Sequence, residues 1–254
     1  MPKIHETAVI HEGAEIADDV EIGPYSVISS QAKIAAGNEM GPHVLVEGRV
    51  RIGPNNKFGA GTIIGTEPQD WGYEGGNTGV KIGEDNLFRE YVTINRSSDE
   101  PDGDTVVGDD NMIMSYCHIA HDCQVGDGNA FANGVTLAGH VTVEDHVMMG
   151  GLTPIHQFVR IGSYAMVGGL SRINKDVIPY IRISGNPAQV YDLNVIGLKR
   201  NDFDAEIRKL LKKAFNLIYR GEHNTSQAVN AIREKYGGES SIDYLVEFIE
   251  NSER

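Results

Sequence analysis

Residues 107–173 read VGDDNMIMSYCHIAHDCQVGDGNAFANGVTLAGHVTVEDHVMMGGLTPIHQFVRIGSYAMVGGLSRI. Stepping through this stretch by six gives Val107, Ile113, Ile119, Val125, Phe131, Leu137, Val143, Met149, Ile155, Ile161, Val167 and Ile173. Every one is large and apolar. Hydrophobic residues make up 40% of the chain. At a fixed register an unbroken run of this length has odds on the order of 10⁻⁵. The same step upstream meets Ile4, Ile10, Ile16, Ile22, Ile28, Ile34, Met40, Val46, Ile52, Phe58 and Ile64, then Ile82, Phe88 and Ile94.

The neighbours of these positions support a repeat. Glycine often follows the large residue, as at Gly53, Gly83, Gly108, Gly126 and Gly162. That is expected where a tight corner must follow each short strand. Two positions before the large residue the side chain is often small, as at Ala14, Ser26, Ala32, Cys117, Cys123 and Ala165. A period of six does not suit a helix, but it suits a strand plus a turn. Three such units close a triangular coil of about 18 residues, and coils stack by parallel strand pairing at about 4.8 Å each. The two cysteines form no CxxC pair and occupy the small interior position, so core filling is their expected role.

An 18-residue coil also states which residues stack. His121, Gly139 and Gln157 share one column, Asp122 and His140 share the next, and His156 precedes Gln157. Histidines from three neighbouring coils thus fall on one edge of the prism. An imidazole near neutrality suits general-base work on a hydroxyl or an amine. Asp122 could hold the tautomer of His121, but adjacent strand residues point oppositely, so this pairing requires a corner. Gly139, one coil along, could bring a backbone N–H close to a developing oxyanion. No Gly-x-Ser-x-Gly nucleophile motif stands out, so direct transfer without an acyl-enzyme is preferred. A rival use of His118, His121 and His140 is zinc binding.

The repeat is interrupted at 66–79 (TEPQDWGYEGGNTG) and 95–105 (NRSSDEPDGDT), which read as loops thrown out from coil corners. After Ile173 it fades through Pro179 and Pro187 into a helical tail, giving an expected division into a β-helix over 1–190 and an α-helical unit over 191–254. Ile207, Leu210, Leu211, Ala214, Phe215 and Ile218 recur at helical spacing. Thr225 and Ser241 are the expected N-caps of two further helices, with Gly237 as a stop. The formal net charge is −14, which disfavours nucleic acid as a partner. Against that charge, the cluster Lys199, Arg200, Arg208, Lys209, Lys212, Lys213 and Arg220 could dock an acidic carrier protein. No apolar stretch is long enough for a signal peptide or a membrane span, so a cytoplasmic, reduced protein is expected.

The repeat resembles the hexapeptide-repeat acyltransferases, a family with a left-handed parallel β-helix that assembles as trimers. HIAHDC (118–123), LAGHV (137–141), GGLTPIHQF (150–158), MVGG (166–169), GNPA (185–188) and NVIGLKR (194–200), with PQD (68–70) in the first loop, are similar to the UDP-N-acetylglucosamine O-acyltransferases. The resemblance spans essentially the whole chain. It implies transfer of an (R)-3-hydroxyacyl chain from acyl carrier protein to the sugar 3-position, at the start of lipid A synthesis, without a cofactor. His121 would be the general base, oriented by Asp122, with Gly139 stabilising the oxyanion. Gln69, Asp70, His118, His140, His156, Gln157, Asn194 and Arg200 would contact substrate, and Met166 and Gly169 would lie at the acyl-chain ruler. Two departures stand out. The family usually has a lysine two residues after the loop aspartate, where this chain has Gly72, and it often reads Lys-Arg-Arg where this chain has Lys199-Arg200-Asn201. Some relatives take a UDP-sugar with an amine at C3, and the missing lysine leaves that acceptor open. The other readings are a metal-dependent hydratase, a coenzyme A-dependent transferase, and a binding β-helix without catalysis.

Overall fold

The computed structural model describes residues 1–98 and 103–253; the part of the second loop at 99–102 lies outside the described residues. The repeat forms short strands, most of two residues, that assemble into three sheets of 11, 8 and 8 strands, one on each face of a triangular prism. Neighbouring strands run parallel, and along the uninterrupted stretch the register is one coil, as in His118↔Thr136 and Thr142↔Arg160. Where a loop is inserted the offset grows by the length of the excursion. Lys57 pairs with Leu87, 30 residues on, and Thr93 with His118, 25 on. The coil therefore closes over both loops, with one register shift after Ile64, where Thr66 pairs with Asn95.

The large residue of each repeat points inward. Ile113, Ile119, Phe131, Leu137, Val143, Met149 and Ile155 are all at most 2% exposed. Outward positions differ by face. One sheet presents Glu15, Lys33, Arg51, Lys81, Gln124 and Arg160, whereas another presents Leu87, Met112, Met148 and Met166.

The glycines that follow the large residues have a different cause from the one expected. Almost all have ordinary φ, and Gly65 is the exception among them. A Cβ on Gly53 would sit 2.5 Å from the Gly83 carbonyl oxygen, and one on Gly108 would sit 2.9 Å from that of Gly126 and closer still to Asp127 Oδ1. It is the close stacking of backbones from consecutive coils that excludes a side chain here. The corners themselves are turned by residues in the left-handed region, among them Asp122 (φ 61°), His140 (φ 61°) and Phe158 (φ 63°).

One corner of the interior is polar. At the small position, Asn38, Asn56, Asn86, Asn111 and Asn129 are buried and form a ladder along the prism. Each side-chain oxygen accepts the backbone N–H of the residue one coil on, from Asn56 N at 3.0 Å to Val147 N at 2.7 Å. This satisfies turn amides that the strands leave unpaired. Cys117 and Cys123 fill the equivalent small position at the other two corners, ahead of His118–Ile119 and Gln124–Val125, as free thiols, and burial pushes them up to about 11 and about 12, out of reach of thiolate chemistry.

The last parallel strand, Ile181–Ser184, is closed by an antiparallel strand, Gln189–Leu193. The expected division at 190 thus falls within that strand. Four helices follow: α1 (Val195–Arg200), α2 (Ala205–Tyr219), α3 (Thr225–Tyr236) and α4 (Ser240–Glu250). The apolar face of α2 buries Leu211, Ala214 and Phe215, with Phe215 reaching the prism core. Gly237 ends α3 as expected, but the N-cap is Asn224 and not Thr225. The Asn224 carboxamide accepts from Gln227 N and the Gln227 side chain returns to Asn224 N, so both free amides are met. Likewise Glu239, not Ser241, caps α4. Within the basic cluster Lys212 pairs with Asp192, and Lys209 pairs with Glu206 at 2.6 Å.

Asn86→Ala would remove the acceptor of Asn111 N–H and the donor to Gly108 O at 2.8 Å. The variant is expected to lose about 2–4 kcal/mol of unfolding free energy, read as a lower denaturant midpoint at unchanged slope.

Candidate active site

His121 and Asp122 stand where the chain leaves one face for the next. The left-handed backbone of Asp122, which a short polar residue tolerates, rotates its side chain off the strand alternation and back onto its neighbour. Asp122 Oδ2 lies 2.7 Å from His121 Nδ1, and both side chains are largely buried. The corner that this pairing requires is present.

Asp122 is held from several sides. The Ser97 hydroxyl donates to Oδ1, the Ser98 hydroxyl to Oδ2 at 2.6 Å, and Ser98 N–H to Oδ1 at 3.0 Å. Burial is the largest single influence on this carboxyl and opposes ionisation. The hydrogen bonds from Ser97, Ser98 and His121 together outweigh it and hold the group at about 2 against an ordinary 3.8. The paired imidazole is thereby oriented with Nδ1 toward the carboxylate and Nε2 toward the neighbouring coil.

That neighbouring coil carries Gly139. A Cβ there would lie 2.5 Å from His121 Cε1 and 2.7 Å from Nε2. Gly139 is therefore the residue that makes room for the imidazole. His140 follows it, with Nε2 3.6 Å from Asp122 Oδ2 and its ring edge-on to His121 at 5.4 Å. Phe158, one coil further, stacks on His140 at 4.6 Å. His156 and Gln157 are exposed on that same coil, and the His156 Nδ1 sits 3.1 Å from the Gln157 carbonyl.

His118 lies on the strand before this corner, with Nδ1 2.8 Å from the Thr93 hydroxyl. Burial first, and then its electrostatic interaction with His121, lowers its pKa. The ligand atoms that converge are those of His121, Asp122 and His140, within 4.8 Å of one another, and not the His118, His121 and His140 set of the zinc reading. Asp122 Oδ2 is already shared between the Ser98 hydroxyl and His121.

The remaining expected residues are placed apart. Gln69 and Asp70 are exposed on the first loop, where Asp70 Oδ1 accepts Gly72 N–H at 2.9 Å. The base of that loop is tied down by Arg96, through Gly65 O at 3.0 Å and Glu67 at 3.0 Å. Asn194 caps α1 through Gly197 N–H and donates to Tyr164 O at 2.9 Å. Arg200 is exposed at the end of α1. Met166 is half-buried between Met148 and Arg182, and Gly169 is exposed at the following corner.

Sequence reasoning missed Ser97 and Ser98. They precede Asp122 by 25 and 24 positions, so stacking by 18 does not reach them. The usable signal was the seven-residue excess in the coil that contains the second loop, 25 against 18.

Because the folded Asp122 carboxyl is depressed, it contributes stability that is present above the ordinary carboxylate value and lost as pH falls toward about 2. Asp122→Asn is expected to flatten the wild-type loss of stability between about pH 4 and about pH 2, measured by denaturant unfolding across that range.

The tail at 176–254 matches the model described as "Udp N-acetylglucosamine O-acyltransferase; Domain 2", and residues 104–139 match the bacterial transferase hexapeptide of six repeats. The chain is 48% identical over its full length to an acyl-[acyl-carrier-protein]--UDP-N-acetylglucosamine O-acyltransferase of Alkalilimnicola ehrlichii, 98% of which is covered. It is 46% identical, with the same coverage, to a protein of that name from Thiobacillus denitrificans. The structure superposes on LpxA from Acinetobacter baumannii with a TM-score of 0.95, at 41% identity, covering 99% of this chain and 98% of the other. The coil is the left-handed parallel β-helix that the resemblance to the hexapeptide-repeat acyltransferases implied. A corner that joins a buried His–Asp pair to a glycine one coil along, on a scaffold this closely shared, makes the chain a member of the UDP-N-acetylglucosamine O-acyltransferase family.

Proposed function

We propose that this protein transfers an (R)-3-hydroxyacyl chain from acyl carrier protein to the 3-hydroxyl of UDP-N-acetylglucosamine, the first step of lipid A synthesis, in the cytoplasm. The observation that carries this reading is His121, bound at Nδ1 by an ionised Asp122 and facing Gly139 with Nε2. Nε2 takes the proton of the sugar 3-hydroxyl as its oxygen attacks the thioester carbonyl. The tetrahedral oxyanion is stabilised by Gly139 N–H, for which no backbone carbonyl among the described residues accepts a hydrogen bond. Collapse breaks the carbon–sulfur bond, and the carrier thiolate recovers the proton from the His121 imidazolium.

The other expected residues fit substrate contacts around this centre. His118, His140, His156 and Gln157 lie on the same edge of the prism or on adjoining coils. Met166 and Gly169 stand two repeats further on, where an acyl chain would end. Gln69, Asp70, Asn194 and Arg200 are carried by the loop and by the helical cap, and would come to a site completed by a neighbouring subunit of a homotrimer. The outward Leu87, Met112 and Met148 support packing between subunits, since apolar side chains at outward positions favour a protein partner. The exposed Lys199 and Arg200 support docking of an acidic carrier.

The acceptor with an amine at C3, giving an amide product, is the second reading. It is favoured by Gly72, which places a backbone turn on Asp70 where the family carries a lysine.

His121→Ala is expected to lower turnover by roughly 10²–10⁴-fold with the fold retained. The measurement is transfer from a panel of 3-hydroxyacyl carrier proteins to UDP-N-acetylglucosamine and to its 3-amino analogue. A strong preference for the hydroxyl sugar removes the amine reading, and transfer to neither sugar overturns both.

A further inference from the structure

The second loop leaves and rejoins the coil on either side of Asp122. On the way out, Ser97 and Ser98 direct hydroxyls to the two carboxylate oxygens. On the way back, the Thr105 hydroxyl accepts Asp122 N–H at 2.9 Å. Ser97 is 2% exposed and its own N–H donates to Gly79 O at 3.2 Å, so the clamp is anchored to the preceding coil.

Two imidazoles compete for the same carboxylate oxygen. Asp122 Oδ2 lies 2.7 Å from His121 Nδ1 and 3.6 Å from His140 Nε2. A small rotation of the carboxylate would exchange one partner for the other. Hydroxyls on both oxygens fix the plane of the group, and the Ser98 hydroxyl lies 3.2 Å from His121 Nδ1 as well. We infer that Ser97 and Ser98 are positioning residues for the base: they lock Asp122 onto His121 in preference to His140, and so keep the His121 proton on Nδ1 and leave Nε2 open to the acceptor. This rests on the acyl-transfer reading above. The serines touch neither substrate nor the reacting atoms and act through Asp122.

Single and double alanine variants test the assignment, with Ser98→Thr retaining the hydroxyl. Ser97→Ala/Ser98→Ala is expected to lower kcat roughly 10- to 100-fold with KM within about twofold, a share of the about 10²–10⁴-fold that a general base supplies. Ser98→Ala alone, at the less buried position, is expected to fall in the same direction, and Ser98→Thr to stay within about threefold of wild type. In an Asp122→Ala background Ser98→Ala should cost less than about twofold, because the group through which it acts is gone. Nitrogen shifts of labelled His121 should report the Nδ1–H tautomer in the wild type and a mixture in the double variant. Unchanged kcat in a wild type that transfers acyl chains, or equal losses with and without Asp122, overturns the inference alone. Transfer to neither sugar overturns the functional reading, and an unchanged His121 tautomer overturns this inference whether or not transfer is seen.

Discussion

Each coil can rest on the next only if the backbone hydrogen bonds keep one register on all three faces while the interior stays filled. Short strands such as His118–Ile119 bring few hydrogen bonds each, so the stack holds by repetition, with each coil pairing only with its neighbours. The rest follows from that constraint. The inward position must be large and apolar at every step, the following residue must lack a Cβ where backbones approach, and the turn amides must find partners. Asparagine solves the last problem on one corner by bonding to the coil beyond, so that five side chains form a continuous polar rail inside an apolar prism. A buried amide left without such a partner would cost more than the hydrogen bond itself contributes.

The same constraint concentrates chemistry. Residues one coil apart are held at strand spacing, so His121 meets Gly139 without any loop to place it. Rigid stacking alone would not unite His121 with Asp122, since neighbours on a strand diverge. The left-handed corner does, and aspartate is among the residues that enter that region at low cost. The carboxylate then sits in a partly buried place where ionisation is opposed by desolvation and restored by hydroxyls from a loop. Scaffold and insertion thus divide the work: the coil sets distances, and the second loop sets the charge and the direction of the orienting group.

The helical cap is tied to the prism by polar as well as apolar contacts. Tyr244 of α4 bonds to Glu144 and accepts Ser163 N–H at 2.9 Å, and the Arg160 guanidinium lies 4.5 Å from the Phe248 ring centroid. Part of the basic cluster belongs to this scaffold as well, since Lys212 neutralises Asp192 on the closing strand. The cations at the end of α1, Lys199 and Arg200, remain exposed. In a chain of net charge −14 their placement at a helix C-terminus is also favourable to the helix dipole.

The sequence by itself determined the period, the inward set, the columns 18 apart, and hence the alignment of His121, Gly139, Asp122 and His140. These depend on local spacing repeated many times, which any reader of the chain can count. Tertiary structure alone decided what crosses an insertion or a corner. The loops change the offset to 25 or 30 residues, so the Ser97 and Ser98 contacts to Asp122 and the Thr93 contact to His118 have no fixed spacing to reveal them. The reason glycine so often follows a strand was also hidden, because a Cβ clash with the next coil is a property of stacking and not of local conformation. Helix caps were misplaced by one or two residues because capping is settled by which side chain reaches a free amide, and Asn224 and Glu239 reach theirs first.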